Sequence, residues 1–387
     1  MSRVSDGERL ARAALTYLAE PGDKAAGALL RTCGPEALVG AIRAGRVLPQ
    51  IAAGETGGAT AAREISRSLA NWRVRLAEIP GEGDLGTAER AGVRLVCPGD
   101  PEWPTQLDVL GDTRPYALWL RGRADLRHSC LRSVSVVGAR AATAYGAHVS
   151  AELAAGLASR GWAVVSGGAY GIDGCAHRGA LAARGTTIAI LASGVDNPYP
   201  PGNHELFAGI AAQGLLVSEW PPGRHPTRAR FLARNRVIAA LSRGTVVVEA
   251  RRRSGALSTA RHARDLCRPL MAVPGPVTSD SSDGCHWIMR EWGAVCVTGP
   301  DDVLEQVAAV GEHLRTPGPV IGTAELDPVT ASVLEAVPSR GGSGPAAIAV
   351  SAGVALDATL CSLGLLAAGG FVVRGPHGWR LAGKGGA

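Results

Sequence analysis

Short apolar runs alternate with alanine-rich segments of helical length through the middle of the chain. Seven runs are rich in Val, Ile, Leu and Ala, at residues 133–138, 161–168, 186–194, 214–219, 244–250, 268–275 and 293–299. Nearly continuous apolar runs are typical of strands that are buried on both faces of a parallel sheet. The segments 146–160 and 174–184 have the composition of crossover helices. The pattern therefore predicts a doubly wound α/β domain, which we place at residues 81–312.

The N-terminal region shows a different pattern. Residues 5–75 carry apolar positions at helical spacing, interrupted at 20–25 ("EPGDKA") and 33–38 ("CGPEAL"). Pro-Gly and Gly-Pro pairs mark turns, so we predict a domain of short helices at residues 1–80. The spacing fits either a SAM- or helix-hairpin-helix-like bundle that contacts nucleic-acid backbones or a plain helical packing module. Helix-hairpin-helix turns normally read Gly-x-Gly, which "EPGD" lacks, and this favours the packing module.

The composition changes again after residue 312. Residues 313–326 ("HLRTPGPVIGTAEL") have the Pro and Gly content of a linker. Asp327-Pro328 is a helix-start signal, and predicted helices and a terminal hairpin follow, so residues 327–387 are predicted to form a winged-helix domain. The third predicted helix, 356–366, contains neither Arg nor Lys. A helix that reads a major groove needs side chains for base edges and phosphates, so a protein-contact or packing role is favoured over DNA reading.

One predicted helix places a cation inside its apolar stripe. In the segment 231–244 ("FLARNRVIAALSRG"), Phe231, Ile238 and Leu241 share one helical face, and Arg234 falls within it. We predict that this helix begins after residue 230 and that its first turn points at the carboxyl ends of the strands. Arg234 can bind a phosphate there in bidentate fashion.

The alternative for Arg234 is structural. A buried ion pair with an acid such as Glu219 or Glu249 would also explain a cation in an apolar stripe. Arg236 lies on the opposite helical face, so the two arginines cannot serve one purpose.

The turns that follow the predicted strands are rich in small residues. They include the segments 137–140 ("VGAR"), 166–173 ("SGGAYGID"), 193–203 ("SGVDNPYPPGN"), 249–260 ("EARRRSGALSTA") and 273–276 ("VPGP"). Glycines let a phosphate approach the backbone, and N–H groups at helix starts complement its charge. In open parallel sheets, ligands bind where loops leave the carboxyl ends of the strands. We therefore predict an anion-binding crevice at this edge.

No familiar catalytic motif accompanies the crevice. The dinucleotide fingerprint, a Walker A loop and a Gly-x-Ser-x-Gly elbow are all missing from the sequence. Candidate acids and bases are Asp173, His177, Asp196, Glu219 and Glu249. Asp173 is explained by a helix cap, and Glu249 by orienting arginines. Because these residues do not make a nucleophile, base and orienting group, we predict no catalytic residue and a polyanion as ligand.

The charge distribution supports a polyanion. The net charge is +6, and among 40 basic residues only Lys24 and Lys384 are lysine. Twelve arginines lie between Arg224 and Arg268, against two acidic residues. A GC-rich genome would explain the preference for arginine, but it does not explain this clustering. The imbalance indicates an anionic partner, with nucleic acid the first candidate.

Other sequence features bear on location and metals. The chain has no apolar run of 18 residues, and its first residues lack the apolar core of a secretory signal. The eight cysteines are scattered without a Cys-x-x-Cys pair, as expected for a reducing compartment. Pairs such as Asp173 with His177, or Cys285 with His286, lack the further ligands of a metal site. We expect a cytoplasmic protein with no metal and no membrane partner.

Six segments together resemble the DprA/Smf DNA-processing family, over about 93–300. They are "SVSVVGARAATAYG", "SGGAYGIDGCAHRGAL", "SGVDNPYPPGNHEL", "GLLVSEWPPGRHPTRARFLARNRVIAALS", "VVVEARRRSGALSTARHA" and "MAVPGPVTSDSSDGCHWIMREWGA", in that order. The flanks resemble the family's N-terminal helical and C-terminal winged-helix domains more loosely.

The resemblance implies a non-enzymatic protein on an extended Rossmann-like domain. Members of this family bind single-stranded DNA without sequence preference, protect it during natural transformation and help load the RecA recombinase. They typically act as homodimers and need no cofactor.

The resemblance also implies a set of DNA-binding residues. Arg140 matches the arginine of the family's Gly-Ser-Arg loop, and Arg234-Asn235-Arg236 matches its Arg-Asn-Arg motif. The full expected set is Gly138, Ala139, Arg140, Ser166, Gly167, Gly168, Gly171, Asn203, Arg228, Arg230, Arg234, Asn235, Arg236, Ser254 and Gly255. The sequence departs from the family pattern at Ala139, Gly168, Leu232 and Pro201, the last in place of a common basic residue.

Aromatic residues have two interpretations each. Tyr145, Tyr170, Tyr199 and Phe231 are candidates for stacking on bases, or they belong to the core. The segment 285–292 ("CHWIMREW") fits either a self-association surface or a buried helix.

Two further functions compete with DNA binding. Related Rossmann-like folds include nucleotide-cleaving phosphoribohydrolases, although "VPGPVTSD" does not match their Pro-Gly-Gly-x-Gly-Thr-x-x-Glu motif. An adaptor whose winged helix binds a protein is the third possibility.

Overall fold

The computed structural model describes residues 4–45, 58–79, 88–309, 326–339 and 341–382. The chain divides into two compact units, Met1–Leu314 and Arg315–Ala387. The predicted linker lies outside the described residues except for its last position, and the domain boundaries drawn from the sequence stay predictions.

A helical region opens the first unit, as the sequence predicts. Its helices are α1 (Asp6–Leu18), α2 (Lys24–Cys33), α3 (Pro35–Ala44) and α4 (Gly58–Val74), with a 3-10 turn at Arg75–Glu78. Side chains start two of them: the Ser5 hydroxyl accepts a hydrogen bond from Glu8 N, and Asp23 accepts from Ala25 N at 2.9 Å. The apolar faces of these helices form a core of their own around Leu15.

A nine-stranded sheet forms the centre of the first unit, in the order β1-β2-β6-β5-β4-β3-β7-β8-β9. The strands are β1 (Val93–Val96), β2 (Leu118–Gly122), β3 (Ser133–Val137), β4 (Ala163–Ser166), β5 (Thr187–Leu191), β6 (Leu215–Ser218), β7 (Gly244–Val247), β8 (Leu270–Ala272) and β9 (Val295–Cys296). Strands β3 to β9 pair in parallel, and all seven coincide with the predicted apolar runs. Strands β1 and β2 are antiparallel additions at the β6 edge that the sequence pattern did not predict.

Helices cover both faces of the sheet. They are α5 (Leu126–Leu131), α6 (Ala144–Ser159), α7 (Ile172–Ala182), α8 (His204–Gln213), α9 (Arg228–Leu241), α10 (Ala256–Asp265), α11 (Asp280–Trp292) and α12 (Pro300–Val307), with 3-10 turns at Thr105–Thr113 and Pro201–Asn203. Alternate strand residues point to opposite sides: Val137 packs with Ile238 of α9, whereas Val136 packs with Leu153 of α6. Each fully buried aliphatic side chain stabilises the fold by about 1.5–3 kcal/mol. The predicted doubly wound α/β architecture is confirmed.

The direction of winding reverses between β3 and β7. From β3 the chain proceeds through α6 to β4 on one side, and after β6 helix α9 returns it to β7 on the other side of β3. The loops that follow β3 and β7 therefore separate at the carboxyl edge and leave a crevice between them.

The second unit contains α13 (Pro328–Ala336), α14 (Pro345–Ala352), α15 (Leu356–Ala368) and a hairpin of β10 (Val372–Gly375) with β11 (Gly378–Leu381). Asp327 caps α13 by accepting hydrogen bonds from Val329 N and Thr330 N, as predicted. The assignment of this unit as a winged helix stays a prediction.

Within the described ranges no single helix has the length and apolarity to cross a membrane, and only the bent pair α14–α15, at 105°, meets that requirement on length and composition alone.

A neutral histidine lies between α7 and the sheet. His177 is fully buried, and its Nδ1 is 2.7 Å from the Thr187 hydroxyl oxygen. That hydroxyl itself donates to Val164 O, so the proton of the imidazole lies on Nδ1 and is donated to Thr187. Nε2 has no hydrogen-bond partner among the described residues. Burial, with the charges of Arg234 and Arg178, lowers the pKa of His177 to about 3.

We expect His177 to make the fold sensitive to acid. Between pH 6.5 and about 3 the unfolded chain binds a proton at this site and the folded chain does not, so stability falls as the pH falls. In His177→Asn, which keeps an N–H donor, the free energy of unfolding should decline less steeply, by about 1.4 kcal/mol per pH unit. Urea unfolding at several pH values measures this, with the exposed His148→Asn as control. Parallel pH profiles for His177→Asn and the unmodified protein would contradict it.

Candidate nucleic-acid interface

A cleft of about 880 Å³ opens at the carboxyl ends of β3 and β7, with walls from α9, α10 and α11. Among the described residues its lining contains seven arginines and one carboxylate, Asp173, so every lining cation is an arginine. The site residues expected from the sequence that line it are Gly138, Ala139, Arg140, Arg228, Arg234, Asn235, Ser254 and Gly255. Those outside the lining are Ser166, Gly167, Gly168, Gly171, Asn203, Arg230 and Arg236.

Two arginines approach one aromatic ring in this cleft. The guanidinium carbon of Arg140 is 4.6 Å from the centroid of the Phe231 ring, and that of Arg234 is 5.1 Å from it. The ring attracts both cations, but the cations repel each other. Arg140 is exposed and has no ion-pair partner among the described residues. A bound anion would relieve this repulsion.

Arg234 lies deeper than the sequence predicts. Helix α9 begins at Arg228, not after residue 230, so Arg234 lies in the second turn and only 4% of it is exposed. Its Nη1 donates to Ile190 O at 2.8 Å and to Gly167 O. Its Nε is buried with no hydrogen-bond partner in the described part of the chain. Arg234 therefore ties α9 to the ends of β4 and β5 at the floor of the cleft.

The charge of Arg234 persists at neutral pH. Burial lowers its pKa to about 10, while the nearby Asp173 opposes that effect and the charge of Arg140 adds to it. The interpretation of Asp173 as a helix cap is wrong: Gly171 is the N-cap of α7, and Asp173 instead accepts a hydrogen bond from Gly167 N at 3.2 Å. Asp173 thus holds the loop after β4 beside Arg234.

Ser166 and Asn203 are buried next to the cleft and do not line it. The Ser166 hydroxyl is fully buried and donates to Val136 O at 2.6 Å. Asn203 Nδ2 donates to Gly168 O at 3.1 Å, and only 2% of Asn203 is exposed. Ser166 thus joins the end of β4 to β3, whereas Asn203 holds the loop that follows β4, so both residues fix the backbone next to the cleft.

Gly171 is required by the loop that carries Arg140. Its φ is +75°, and a Cβ at this position would lie 2.3 Å from Ala139 O and 2.4 Å from Arg140 O. Only glycine allows the loops after β3 and β4 to approach this closely.

Arg236 faces away from the cleft. It forms a bidentate ion pair with Glu219, at 2.5 and 2.7 Å, and its Nε donates to Thr113 O. Both side chains are buried, 7% and 2% exposed. The sequence allowed a buried ion pair for Arg234, but Arg236 forms it instead. Arg236 was expected among the DNA-binding residues, and the structure places it outside the cleft.

Arg230 is held by the N-terminal helical region. Its Nη2 is 2.9 Å from a Glu20 carboxylate oxygen, which also contacts Arg75. Arg228, by contrast, is exposed at the cleft. Of the two basic positions considered from the sequence, the structure places only Arg228 in the cleft.

Glu249 orients a threonine rather than an arginine. It accepts hydrogen bonds from Thr143 N at 3.0 Å and from the Thr143 hydroxyl at 2.5 Å. The expected contact with arginines is therefore wrong, and Glu249 fixes the start of α6.

The wall after β7 is strongly basic. The exposed arginines 251–253 and Arg261 all line the cleft. Ser254 and Gly255 precede α10, whose N-terminus faces the cleft, and Asn235 Nδ2 donates to Gly255 O at 3.3 Å. The first N–H groups of α10 already donate to Ser254 and Gly255, so the guanidinium groups are the donors that suit phosphate on this wall.

Comparison with known proteins gives the family. Residues 94–308 match the model of DNA recombination-mediator protein A. The chain belongs to this family. It is 44% identical over 379 residues to the putative DNA processing protein DprA of Mycobacterium tuberculosis strain H37Rv, covering 95% of this chain and 92% of that one.

Two solved structures of the family are similar to the chain. DNA processing protein A from Streptococcus pneumoniae superposes with a TM-score of 0.62 at 29% identity, covering 79% of this chain and all of that one. DNA processing protein A from Helicobacter pylori, whose single-stranded DNA binding mode has been described, gives a TM-score of 0.50 at 30% identity, covering 55% and 94%.

Trp287 and Trp292 are cleft residues that the sequence analysis assigned elsewhere. Both were considered for self-association or for a buried helix, but both are half-buried and line the cleft. Phe231, expected in the core or in stacking, is half-buried at the cleft as well. The run of three arginines at 251–253 is the sequence signal that could have placed these aromatic rings at the cleft, since guanidinium groups favour aromatic neighbours.

Proposed function

We propose that the protein binds single-stranded DNA in this cleft without sequence preference, protects it, and helps load a RecA-type recombinase without catalysing a reaction. The observation that carries the proposal is a cleft lined by seven arginines and one acid among the described residues, with aromatic rings between the cations. The single-stranded DNA binding described for the Helicobacter pylori relative supports it.

The chemistry of the cleft favours a single strand over a duplex. Guanidinium groups bind phosphates of any sequence, and a half-buried ring such as Phe231 offers a face on which any base can stack. In a duplex the base faces are already stacked on each other, so the rings would contribute nothing. Arginine near phosphate also makes binding strongly dependent on salt.

A binding role rather than catalysis is supported by the state of the candidate acids and bases. Glu249 is committed to Thr143, Glu219 to Arg236 and Asp196 to Gly223 N, and His177 is fully buried. Asp173, which lines the cleft, is held by Gly167 N beside Arg234. The second candidate, a nucleotide-processing enzyme of the phosphoribohydrolase type, calls for an acid free to act on a nucleotide. Turnover of nucleoside monophosphates that disappears in Glu249→Gln would favour the enzyme.

Assembly and location are part of the same proposal. We infer a homodimer in the cytoplasm that contacts RecA, on the strength of the resemblance to the family. Sedimentation velocity of the whole chain tests the dimer, and recombinase filament formation on coated DNA, with and without the protein, tests the loading.

A salt-titrated comparison of single-stranded and duplex oligonucleotides tests the proposal directly. For about five phosphate contacts, the logarithm of the association constant should fall against the logarithm of the salt concentration with a slope of about −3.5 on a single strand. Oligonucleotides of different base composition should bind alike. Preference for the duplex would overturn the proposal.

A further inference from the structure

We propose that Trp287 and Trp292, with Arg252 and Arg264, form a second stacking site for a base of the same DNA strand. This inference rests on the proposed function and adds a site to it. We name these four residues the tryptophan platform.

The tryptophan platform is built at the C-terminal half of α11. The two indole rings are 4.6 Å apart between centroids at 60°. The guanidinium carbon of Arg252 is 5.5 Å from the Trp287 centroid, and that of Arg264 is 4.5 Å from the Trp292 centroid. The arginine side chains are 52% and 44% exposed, so the charges remain in contact with solvent.

The neighbouring residues of α11 already anchor the helix. Cys285 and Ile288 are fully buried in the core. The tryptophans pack against the core with part of each side chain and stay half-buried, and neither indole N–H has an acceptor among the described residues. The exposed part of each indole is therefore available to a ligand.

The charge around the tryptophan platform selects an anion as occupant. Arg251, Arg253 and Arg261 are exposed on the same wall and have no ion-pair partner within the described residues. The acids that approach the platform are weak counterions: Asp283 is 4.0 Å from Arg252, and Asp265 pairs with Arg264 at the surface. An unpaired basic wall beside exposed aromatic rings suits an unstacked nucleic-acid strand better than a protein surface.

The tryptophan platform and Phe231 lie on opposite sides of the reversal point. Arg234, next to Phe231, contacts the ends of β4 and β5, whereas Cys285 of α11 contacts Val247 and Val248 at the end of β7. From β4 to β7 there are two strand spacings, or about 10 Å. A single strand covers that distance in a few nucleotides, since one nucleotide advances about 3.4 Å in stacked DNA. One strand can therefore occupy both aromatic sites.

Oligonucleotide length distinguishes the two aromatic sites. In the double variant Trp287→Leu/Trp292→Leu, which keeps apolar bulk in the core, we expect affinity for an oligothymidine of about 12 nucleotides to fall about tenfold. Affinity for one of about 3 nucleotides should change less than twofold, because it fills only one site. The matched control Trp287→Phe/Trp292→Phe keeps aromatic faces and should stay within about threefold of the unmodified protein. Fluorescence anisotropy of a labelled oligonucleotide measures all of these.

The outcomes separate this inference from the proposed function. If the unmodified protein binds the longer oligonucleotide and both double variants bind it as tightly as the unmodified protein does, the tryptophan platform is excluded while the proposed function stands. If the unmodified protein binds no single strand, the proposed function fails first. Photocrosslinking of iodouracil-substituted oligonucleotides to the unmodified protein needs no variant to fold. Crosslinks to Trp287 or Trp292 support the platform, and crosslinks confined to the Phe231 side overturn it.

Discussion

Replacing Arg140 by alanine should lower the affinity for a single-stranded oligonucleotide by about 10- to 100-fold. Arg140 is exposed, it shares the Phe231 ring with Arg234, and it has no ion-pair partner among the described residues. A hydrogen bond to a charged group contributes about 1.5–3 kcal/mol, which corresponds to this range. The salt dependence should also become shallower by about 0.7 per lost phosphate contact. Anisotropy titrations at several salt concentrations give both quantities.

The matched control is Arg123→Ala. Arg123 is exposed just after β2, which runs antiparallel to β6, so it lies at the opposite edge of the parallel strands from the cleft. It has the same charge change and should bind DNA like the unmodified protein. Equal losses in both variants would mean that net charge, and not the cleft, determines binding.

Replacing Arg236 by methionine should destabilise the fold by about 3–5 kcal/mol. The substitution keeps volume but leaves the buried Glu219 carboxylate without its cation and Thr113 O without its donor. Removing one partner of a buried ion pair typically costs this much. Urea unfolding followed by tryptophan fluorescence reports it, since seven of eight tryptophans lie in the first unit.

The pH dependence of the stability of Arg236→Met identifies the cause of the destabilisation. Without Arg236, burial alone acts on Glu219 and raises its pKa. The folded variant then favours the protonated acid, so its stability should be lowest above that raised pKa and should recover towards the unmodified protein as the pH falls. The control Arg114→Met breaks a partly exposed pair with Asp108 and should cost no more than about 1 kcal/mol. A loss in Arg236→Met that is independent of pH would point to packing instead.

Parallel strands β3 to β8 were predictable because their residues are buried and each reads as a nearly continuous apolar run. Strands β1 and β2 escaped the same reasoning because Arg94 interrupts the apolar residues of "VRLV" and because "LWLRG" has only three apolar residues before Arg121. Strand β1 lies at the edge of the sheet, where Arg94 pairs with Glu102 at 2.6 Å. Edge position, which depends on strand order, is not encoded in a local pattern.

The two arginines of the Arg-Asn-Arg motif show where prediction of the site stops. Helical periodicity correctly places Arg234 and Arg236 on different faces of α9. The partners that decide their roles, Gly167 and Ile190 for the first and Glu219 for the second, come from strands and loops that only the sheet order brings near. The basic band was visible in the sequence, whereas the orientation of Trp287 towards it was not, because α11 has buried residues on a neighbouring face.

In the described part of the chain every cation of the cleft lining is an arginine, and this determines how the protein can be handled chemically. Reagents that couple to primary amines find only the chain terminus, Lys24 and Lys384. Lys24 is exposed at the start of α2, in the N-terminal helical region, and does not line the cleft. Attachment to a sensor surface through amines therefore leaves every described cation of the cleft lining chemically intact, whereas a guanidinium-selective dicarbonyl reagent would modify the cleft arginines themselves.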